Sequence, residues 1–184
     1  MLEGKSVKLG PIKREYIESF LKWFNDPEIT QYLVPFRPMT RMAEEEWMEN
    51  LKNREDSIYF SILIHNEEGL EKLIGNCGLH KIDWKNRVAE AGIAIGEKEY
   101  QNKGYGTEAM ELLVEYGFNT VNLNRIELFT YTFNERALKL YNKIGFIEEG
   151  RKRQYVWSNG KYHDSIMMGI LAEEWNKKKN KNLF

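Results

Sequence analysis

The sequence predicts a single mixed α/β domain whose sheet is mostly antiparallel and contains one parallel β-α-β step. A chain of 184 residues has the length of one domain, and 42% hydrophobic with 30% charged residues suits a packed core under a solvated surface. Three apolar runs between residues 58 and 95 are joined by connections too short for crossover helices, which indicates an antiparallel meander. A helix-long segment separates 93–95 from the next strand, so those two strands should be parallel.

The first third of the chain is predicted to be mainly helical. A short strand at 7–9 precedes a helix at 12–24, which should end at Asn25-Asp26-Pro27. Two prolines predict a loop at 32–38. Thr40 then has the side chain of a helix N-cap, and the helix should continue to about residue 51.

The middle of the chain supplies the meander and the crossover. Strands are predicted at 58–64, 73–79 and 88–95, with polar turns between them. Apolar residues at helical spacing then predict a helix over 107–118, followed by a strand at 125–132. The helix stripe consists of Ala109, Leu112, Leu113 and Tyr116.

The last third predicts a helix, a hairpin and a tail. The helix spans 135–144, with Asn134 as its N-cap and Gly145 at its C-terminal stop. Asn-Gly within 158–161, between apolar runs at 154–157 and 162–171, predicts a C-terminal β-hairpin. The basic residues near the C-terminus predict a frayed, solvated tail at about 176–184.

Composition argues against several classes of partner. A formal net charge of −1 gives no general attraction to nucleic acid or to an anionic membrane, and neither partner is expected. Cys77 is the only cysteine, which excludes a disulfide within the chain and a cysteine-based zinc site. His65, His80 and His163 lack metal-ligand spacing, so no metal is expected. The first five residues have no apolar leader, which favours a cytoplasmic location.

The turn at 101–107, Gln-Asn-Lys-Gly-Tyr-Gly-Thr, is the first candidate functional segment. It joins a strand to a helix, and its two glycines allow the backbone to approach a ligand closely while the helix start offers free N–H groups. This arrangement predicts a phosphate site. Gly104 to Ala109 also matches the dinucleotide fingerprint G-x-G-x-x-A, with Glu127 near the expected acidic position, and a plain packing turn is a further alternative.

The helix after the next strand carries the second candidate segment. Asn134, Ala137, Leu138 and Tyr141 fall at i, i+3, i+4 and i+7 and therefore share one face. That face combines a polar cap, a small residue and a phenol, which is unusual for a core stripe. The alternative is that Asn134 only caps the helix and Tyr141 is a half-buried core residue.

Together, Gln101-x-Lys103-Gly104-x-Gly106 and Asn134-x-x-Ala137-x-x-x-Tyr141-x-x-x-Gly145-Phe146 resemble the GNAT superfamily of N-acetyltransferases. The resemblance covers about residues 58–147. The hairpin at 157–164 and the pattern Arg87-x-x-Glu90 are similar to the branch that holds ribosomal-protein N-terminal acetyltransferases and spermidine acetyltransferases. It implies a single GNAT-type domain over 1–184, with helices on both faces of the sheet.

The resemblance also implies acetyl-CoA as cofactor. The strand residues Ile93, Ala94 and Ile95 would pair with its pantetheine arm, as an added strand does. Asn134 would reach the same arm, and Ala137 would leave it room. Asn102 departs from the family, where Gly or Arg is frequent. The residues that the resemblance assigns to the diphosphate are Gln101, Asn102, Lys103, Gly104, Tyr105, Gly106 and Thr107.

By the same resemblance, the amine attacks the thioester directly in a ternary complex. Glu90 is the candidate base, acting through water, although it could instead pair with a surface cation. A backbone N–H near Ile95 would hold the developing oxyanion. Tyr141 would give its proton to the leaving thiolate, a nearly matched transfer for a thiol of pKa about 8.5 and a phenol of about 10.

The acceptor is the part of the reaction that the sequence leaves open. Its site should be lined by Tyr32, Phe36 and Glu90, and the hairpin with Tyr155 and Trp157 could close it. The acceptor could be a protein N-terminus or a small primary amine. A polyamine is the first alternative, since the Glu44-Glu45-Glu46 triplet could attract one, although a solvated helix start explains the triplet equally well. A non-catalytic acyl-CoA-binding module is the second alternative, and a homodimer is implied by the branch. Trp23 and Trp47 are expected in the core.

Overall fold

The computed structural model describes residues 2–33, 37–65 and 69–181. Within them the strands are β1 (Leu2–Glu3), β2 (Lys8–Gly10), β3 (Ile58–His65), β4 (Glu71–Asp83), β5 (Val88–Ile95), β6 (Arg125–Tyr131), β7 (Ile147–Ser158) and β8 (Lys161–Leu171). The α-helices are α1 (Ile17–Phe24), α2 (Pro27–Thr30), α3 (Arg41–Asn50), α4 (Tyr105–Asn119), α5 (Glu135–Ile144) and α6 (Ala172–Lys181). Short 3₁₀ turns lie at Arg14–Tyr16, Leu51–Asn53 and Lys98–Tyr100.

The eight described strands form one sheet in the order β1-β2-β3-β4-β5-β6-β8-β7. Strands β5 and β6 are parallel and are connected through α4, whereas the other neighbours are antiparallel. The meander, the crossover and the C-terminal hairpin are therefore confirmed, and so is the mixed α/β class.

The parallel seam is short, and this positions the functional site. Residues 88–90 of β5 pair with residues 125–127 of β6. Among the described residues, the two strands form no further pairs. The later residues of β5 stay paired with β4 on their other edge, up to Ile95 opposite Gly75. The two strands therefore separate and leave a wedge-shaped opening with one free edge of β5.

Helices cover both faces of the sheet, as the resemblance implies. On one face α4 packs its buried side chains, among them Met110 and Leu113, against Ile126 and Leu128 of β6. On the other face the first helices form a second cluster around Phe20, Trp23 and Ile29. No helix in the described ranges is long and apolar enough to cross a membrane.

Several predicted boundaries shift in the N-terminal half. The segment 12–24 begins with a 3₁₀ turn, and the α-helix starts only at Ile17. Trp23 is confirmed in the core at 1% exposure, whereas Trp47 is half-buried with its ring 5.2 Å from that of Tyr59. The turn predicted at 66–69 lies largely outside the described residues.

Strand β7 begins at residue 147, seven residues before the predicted start at 154. Its first half contains the charged run 148–153, and nearly all of that run is exposed because β7 is the edge strand beside β8. An edge strand with exposed faces lacks the alternation of apolar and polar residues on which strand prediction depends.

The prediction of a frayed tail is wrong for residues 176–181. These residues continue α6, which Trp175 anchors in the core at 4% exposure. Lys178 donates hydrogen bonds to the carbonyl oxygens of Lys143 and Ile144, the last being 2.8 Å away. A lysine at this position satisfies carbonyls that the end of a helix leaves unpaired, and α6 thereby caps α5.

Candidate active site

A cavity of about 640 Å³ occupies the opening between β5 and β6. It gathers residues from the end of β5, the glycine turn, α5 and the α2 region. The predicted site residues that line it are Tyr32, Glu90, Ile93, Ala94, Ile95, Gln101, Asn102, Gly104, Gly106, Thr107, Asn134, Ala137 and Tyr141. The side chains of Lys103 and Tyr105 are not part of this lining, and Phe36 lies outside the described residues.

The glycine turn has the geometry of an anion site. Asn102 and Gly104 both have positive φ, 59° and 90°, which glycine and asparagine tolerate best. Helix α4 begins at Tyr105, so the N–H groups of residues 105–107 have no partner within the helix. A Cβ on Gly106 would lie 3.4 Å from Leu140 Cδ1 and narrow the turn. The turn therefore presents free N–H groups and the positive end of a 15-residue helix to the cavity.

Gln101 acts as a brace for this turn. Its Nε2 donates to the carbonyl oxygen of Ile95 over 2.8 Å, and its Oε1 accepts from Arg136 over 2.7 Å. The side chain therefore joins the turn to the end of β5 and to the start of α5. Lys103 and Tyr105 instead lie beside the ring of Tyr100, at 5.5 and 5.9 Å.

The end of β5 and the start of α5 both border the cavity. Ile93, Ala94 and Ile95 pair with β4 through one edge and line the cavity with the other. Asn134 is the N-cap of α5, since its side-chain oxygen accepts from the Ala137 N–H over 3.3 Å. Asn134 therefore caps α5 and lines the cavity at the same time.

Tyr141 lies at the inner wall of the cavity and is only 6% exposed. Burial raises the pKa of its phenol to about 12, because the phenolate would lose hydration. The hydroxyl therefore stays protonated at neutral pH. Burial thus moves the pKa of the phenol further from that of a thiol, about 8.5, than its ordinary value of about 10.

Glu90 lines the cavity, and its carboxylate is paired twice. One carboxylate oxygen lies 3.1 Å from His80 Nε2, and the other accepts from Lys81 Nζ over 2.8 Å. The hydrogen bond from His80, with that from Lys81 added to it, lowers the pKa of Glu90 to about 2 against the opposing effect of burial. Glu90 is therefore an ionised group with very little affinity for a proton.

His80 also lines the cavity, although its position in the sequence only argued against a metal site. It stands directly opposite Glu90 in the β4–β5 ladder. Counting outward from the turn at 83–87 would have paired Glu90 with Lys81 instead, because an irregularity between His80 and Asp83 shifts the register by one residue.

Aromatic side chains line the part of the cavity where the acceptor is expected to bind. Tyr32 stacks on Phe133 with ring centres 5.9 Å apart and carries the Arg136 guanidinium 5.0 Å above its ring. Phe129 lines the cavity, and the Lys152 ammonium lies 4.9 Å from its ring centre. Lys152 is also 4.9 Å from the ring of Tyr155, so the hairpin places a cation beside this end of the site.

Glu127 does not support the dinucleotide alternative. Its carboxylate is bonded to Arg125, 3.0 Å away, on the same strand. The sheet also has one parallel pair among its described strands, rather than the doubly wound parallel sheet of dinucleotide-binding folds.

Comparisons with known proteins agree on one family. Residues 7–147 match the sequence model described as "Acetyltransferase (GNAT) domain". An uncharacterized N-acetyltransferase p20 from Bacillus licheniformis is 33% identical over 182 residues, which cover 95% of this chain and 97% of the relative. The spermidine N(1)-acetyltransferase of Escherichia coli strain K12 is 28% identical over 177 residues, covering 95% and 91%.

A third relative and a solved structure extend the same comparison. The putative ribosomal N-acetyltransferase YdaF of Bacillus subtilis strain 168 is 37% identical over 107 residues, which are 58% of each chain. The crystal structure of spermidine N-acetyltransferase from Vibrio cholerae in complex with CoA and spermine superposes with a TM-score of 0.84 at 25% identity, covering 94% of this chain and 99% of that one.

The fold matches that of a spermidine N-acetyltransferase whose crystal structure contains CoA, and the named relatives are N-acetyltransferases. The chain belongs to the GNAT family of acetyltransferases and is an acetyl-CoA-dependent N-acetyltransferase.

Proposed function

We propose that the acceptor is the amino group of a protein N-terminus or of a small monoamine. The observation that carries this proposal is the charge at the acceptor end of the cavity. Glu90 is the sole carboxylate among the described lining residues, and His80 and Lys81 already occupy its two oxygens. Lys152 adds a positive charge next to Phe129. A polyamine would bring further ammonium groups into a site without free carboxylates, and like charges oppose binding.

A polyamine is the second candidate, because relatives of this chain carry the name spermidine N(1)-acetyltransferase. The acidic triplet of α3 gives this candidate little support. Glu44 is buried at 2% exposure, where burial raises its pKa, and Oε1 has no hydrogen-bond partner among the described residues. The Thr40 side chain caps the same helix by accepting from Ala43 N–H. The triplet is therefore not one exposed acidic patch.

Acetylation of a fixed amine panel tests the acceptor. Thiol release from acetyl-CoA would be followed with a Ser-Ala-Ala tripeptide, butylamine and spermidine at equal concentrations. We expect kcat/KM for the tripeptide or butylamine to exceed that for spermidine by at least about tenfold, the effect of roughly 1.4 kcal/mol of repulsion. A preference for spermidine would overturn the proposed acceptor.

The variant Lys152→Glu tests whether the charge of Lys152 influences the choice of acceptor. The reversed charge should raise kcat/KM for spermidine relative to the tripeptide, because it replaces a repelling cation with an attracting anion. Lys52→Glu is the matched control, since Lys52 is exposed in the 3₁₀ turn after α3 and does not line the cavity. An unchanged substrate ratio in Lys152→Glu would contradict the role given to Lys152.

We assign the diphosphate of acetyl-CoA to the free N–H groups of 104–107, and the pantetheine arm to the free edge of 93–95. Lys103 and Tyr105 would take part through their backbone, since their side chains pack beside Tyr100. Asn134 and Ala137 would border the arm from α5. A backbone N–H near Ile95 would hold the oxyanion, and Tyr141 would donate a hydrogen bond to the departing sulfur.

Acetyl-CoA is expected to stabilise the protein measurably. At about 100 times its Kd it should add roughly 2.7 kcal/mol, which is about 5–10 °C in Tm for a domain of this size. Pantetheine, which lacks the diphosphate, is the matched control ligand and should give a much smaller shift at the same concentration. Equal shifts would show that the 101–107 turn does not hold the diphosphate.

The cytoplasm is the proposed compartment, and a homodimer is the proposed assembly. The assembly rests on the resemblance to this branch of acetyltransferases. Light scattering after size-exclusion chromatography tests the assembly, and a monomer mass near 21.8 kDa would contradict it.

A further inference from the structure

We propose that His80 accepts the proton lost by the attacking amine, and that Glu90 is the positioning residue that holds the His80 ring. This assignment concerns the reaction itself, so it holds for any amine acceptor. It replaces Glu90 as the group that takes up the proton.

The first support is the register of the sheet. His80 on β4 and Glu90 on β5 are facing residues of an antiparallel pair and lie on one face. Both line the cavity at its acceptor end. The pair is therefore built on two central strands, which hold side chains more rigidly than loops do.

The second support is the way the ring is held. His80 Nε2 lies 3.1 Å from Glu90 Oε1, and Lys81 binds the other oxygen of the carboxylate. An imidazole that donates Nε2–H to a carboxylate has its lone pair on Nδ1. A carboxylate with this role orients a histidine base and stabilises its charged form without being protonated itself.

The third support is the open space beside Nδ1. Gly92 comes two residues after Glu90 on the same face of β5, and it has no side chain to cover the ring. A Cβ at Gly92 would lie 3.4 Å from His80 Cε1 and 3.9 Å from Nδ1. The glycine therefore leaves uncovered an edge of the ring, including Nδ1, that an alanine side chain would contact.

The proton balance follows from these positions. The acceptor arrives as an ammonium ion, which cannot attack, and one of its protons passes to His80 Nδ1 and then to water. The amine nitrogen bonds to the acetyl carbon while the carbon–sulfur bond breaks. The nitrogen loses a second proton as the amide forms, and the thiolate gains one, so the only proton released overall is the one that passes through His80. Tyr141 donates a hydrogen bond to the sulfur.

The test is the pH dependence of kcat/KM in wild type, His80→Gln and Glu90→Gln. The wild-type rate should rise with pH as His80 loses its proton. His80→Gln should lose this ionisation and lower the plateau by about 10²- to 10⁴-fold, the usual contribution of a general base. Glu90→Gln should lower the plateau by a smaller factor than His80→Gln and keep a pH-dependent rate, because the base is still present but the carboxylate that orients it is gone. His65→Gln is the matched control, since His65 is exposed at the end of β3 and its ring contacts the Gly69 carbonyl.

The acceptor's own titration must be separated from that of the enzyme. The α-amino group of the Ser-Ala-Ala tripeptide has a pKa near 8, whereas the amino group of butylamine resembles that of lysine, with a pKa near 10.4. The part of the pH profile that reflects deprotonation of the substrate should therefore lie at higher pH with butylamine than with the tripeptide. The His80 limb should stay in place. Any amine of the panel that is turned over, spermidine included, serves for this comparison, so the result is independent of the proposed acceptor.

Nuclear magnetic resonance supplies a readout that needs no acceptor. The His80 ring-proton signals, assigned by their loss in His80→Gln, should change chemical shift in Glu90→Gln at one fixed pH, because the carboxylate that holds the ring is gone. Other titratable groups near the pair include Lys81 beside it, Glu127 on β6 and Tyr155 on β7. These are unchanged in Glu90→Gln, so the change would report the carboxylate. Identical His80 signals in both proteins would overturn the positioning role.

A different pattern would return the base role to Glu90. In that case Glu90→Gln would lower the plateau as strongly as the loss of a base requires. His80→Gln would then retain the ionisation and most of the rate. Either observation would overturn the assignment to His80.

Discussion

Trp175→Ala is expected to lower the free energy of unfolding by about 3–5 kcal/mol, the usual effect of removing a buried indole. Trp175 is 4% exposed and belongs to the main hydrophobic core, although it lies ten residues from the C-terminus. Its loss would also release α6, whose Lys178 binds the last carbonyls of α5. Urea denaturation followed by circular dichroism measures the change.

Two controls separate packing from other effects of the indole. Trp175→Phe should cost less, because it keeps most of the apolar volume and removes an indole N–H that has no hydrogen-bond partner among the described residues. Trp157→Ala, at a position that is 61% exposed, should change stability by no more than about 0.5 kcal/mol. If Trp175→Ala were as mild as Trp157→Ala, α6 would not be part of the folded core.

Tyr141→Phe is expected to lower kcat by roughly ten- to a hundredfold at saturating acetyl-CoA, at or below the usual range for acid catalysis. The substitution removes one hydroxyl from a buried ring and leaves the ring's packing against Phe146, whose centre is 5.8 Å away. The hydroxyl stays protonated because burial raises its pKa to about 12, so it donates a hydrogen bond throughout the neutral range. Steady-state kinetics with the tripeptide measures the change.

Tyr116→Phe is the matched control for Tyr141→Phe. Tyr116 packs edge-on against Phe60 at 5.3 Å and does not line the cavity, so its variant should keep the wild-type kcat. The KM for acetyl-CoA should change little in Tyr141→Phe, because the hydrogen bond is made chiefly as the thiolate leaves. An unchanged kcat in Tyr141→Phe would show that the Tyr141 hydroxyl does not assist the departing sulfur.

Much of the fold follows from local patterns in the sequence. Short polar connections between apolar runs allow only an antiparallel meander, and the long connection at 96–124 allows a parallel crossover. The failures lie where tertiary packing overrides local composition. The lysine run at 177–179 predicts a solvated tail, yet one buried tryptophan before it is enough to fix α6 on the core.

Many of the residues that line the cavity could be predicted from the sequence, whereas the hydrogen bonding and ionisation of Glu90 could not. The two motif segments meet because β5 and β6 separate, and the motifs themselves indicate which residues border the opening. The state of Glu90 depends instead on a partner ten residues earlier in the chain. Pairing of that kind follows from sheet register, and register cannot be fixed until the turn between two strands is known.

The short parallel pairing between β5 and β6 affects how well binding of the acetyl donor tolerates changes in the sequence. Main-chain N–H and C=O groups are present at every non-proline position, whatever side chain the position carries. If the principal contacts are the free edge of 93–95 and the helix start at 105–107, as we propose, the site tolerates most replacements along both segments. Relatives that share only a quarter to a third of their residues with this chain can thus hold one common donor while their acceptor ends, which depend on side chains, diverge.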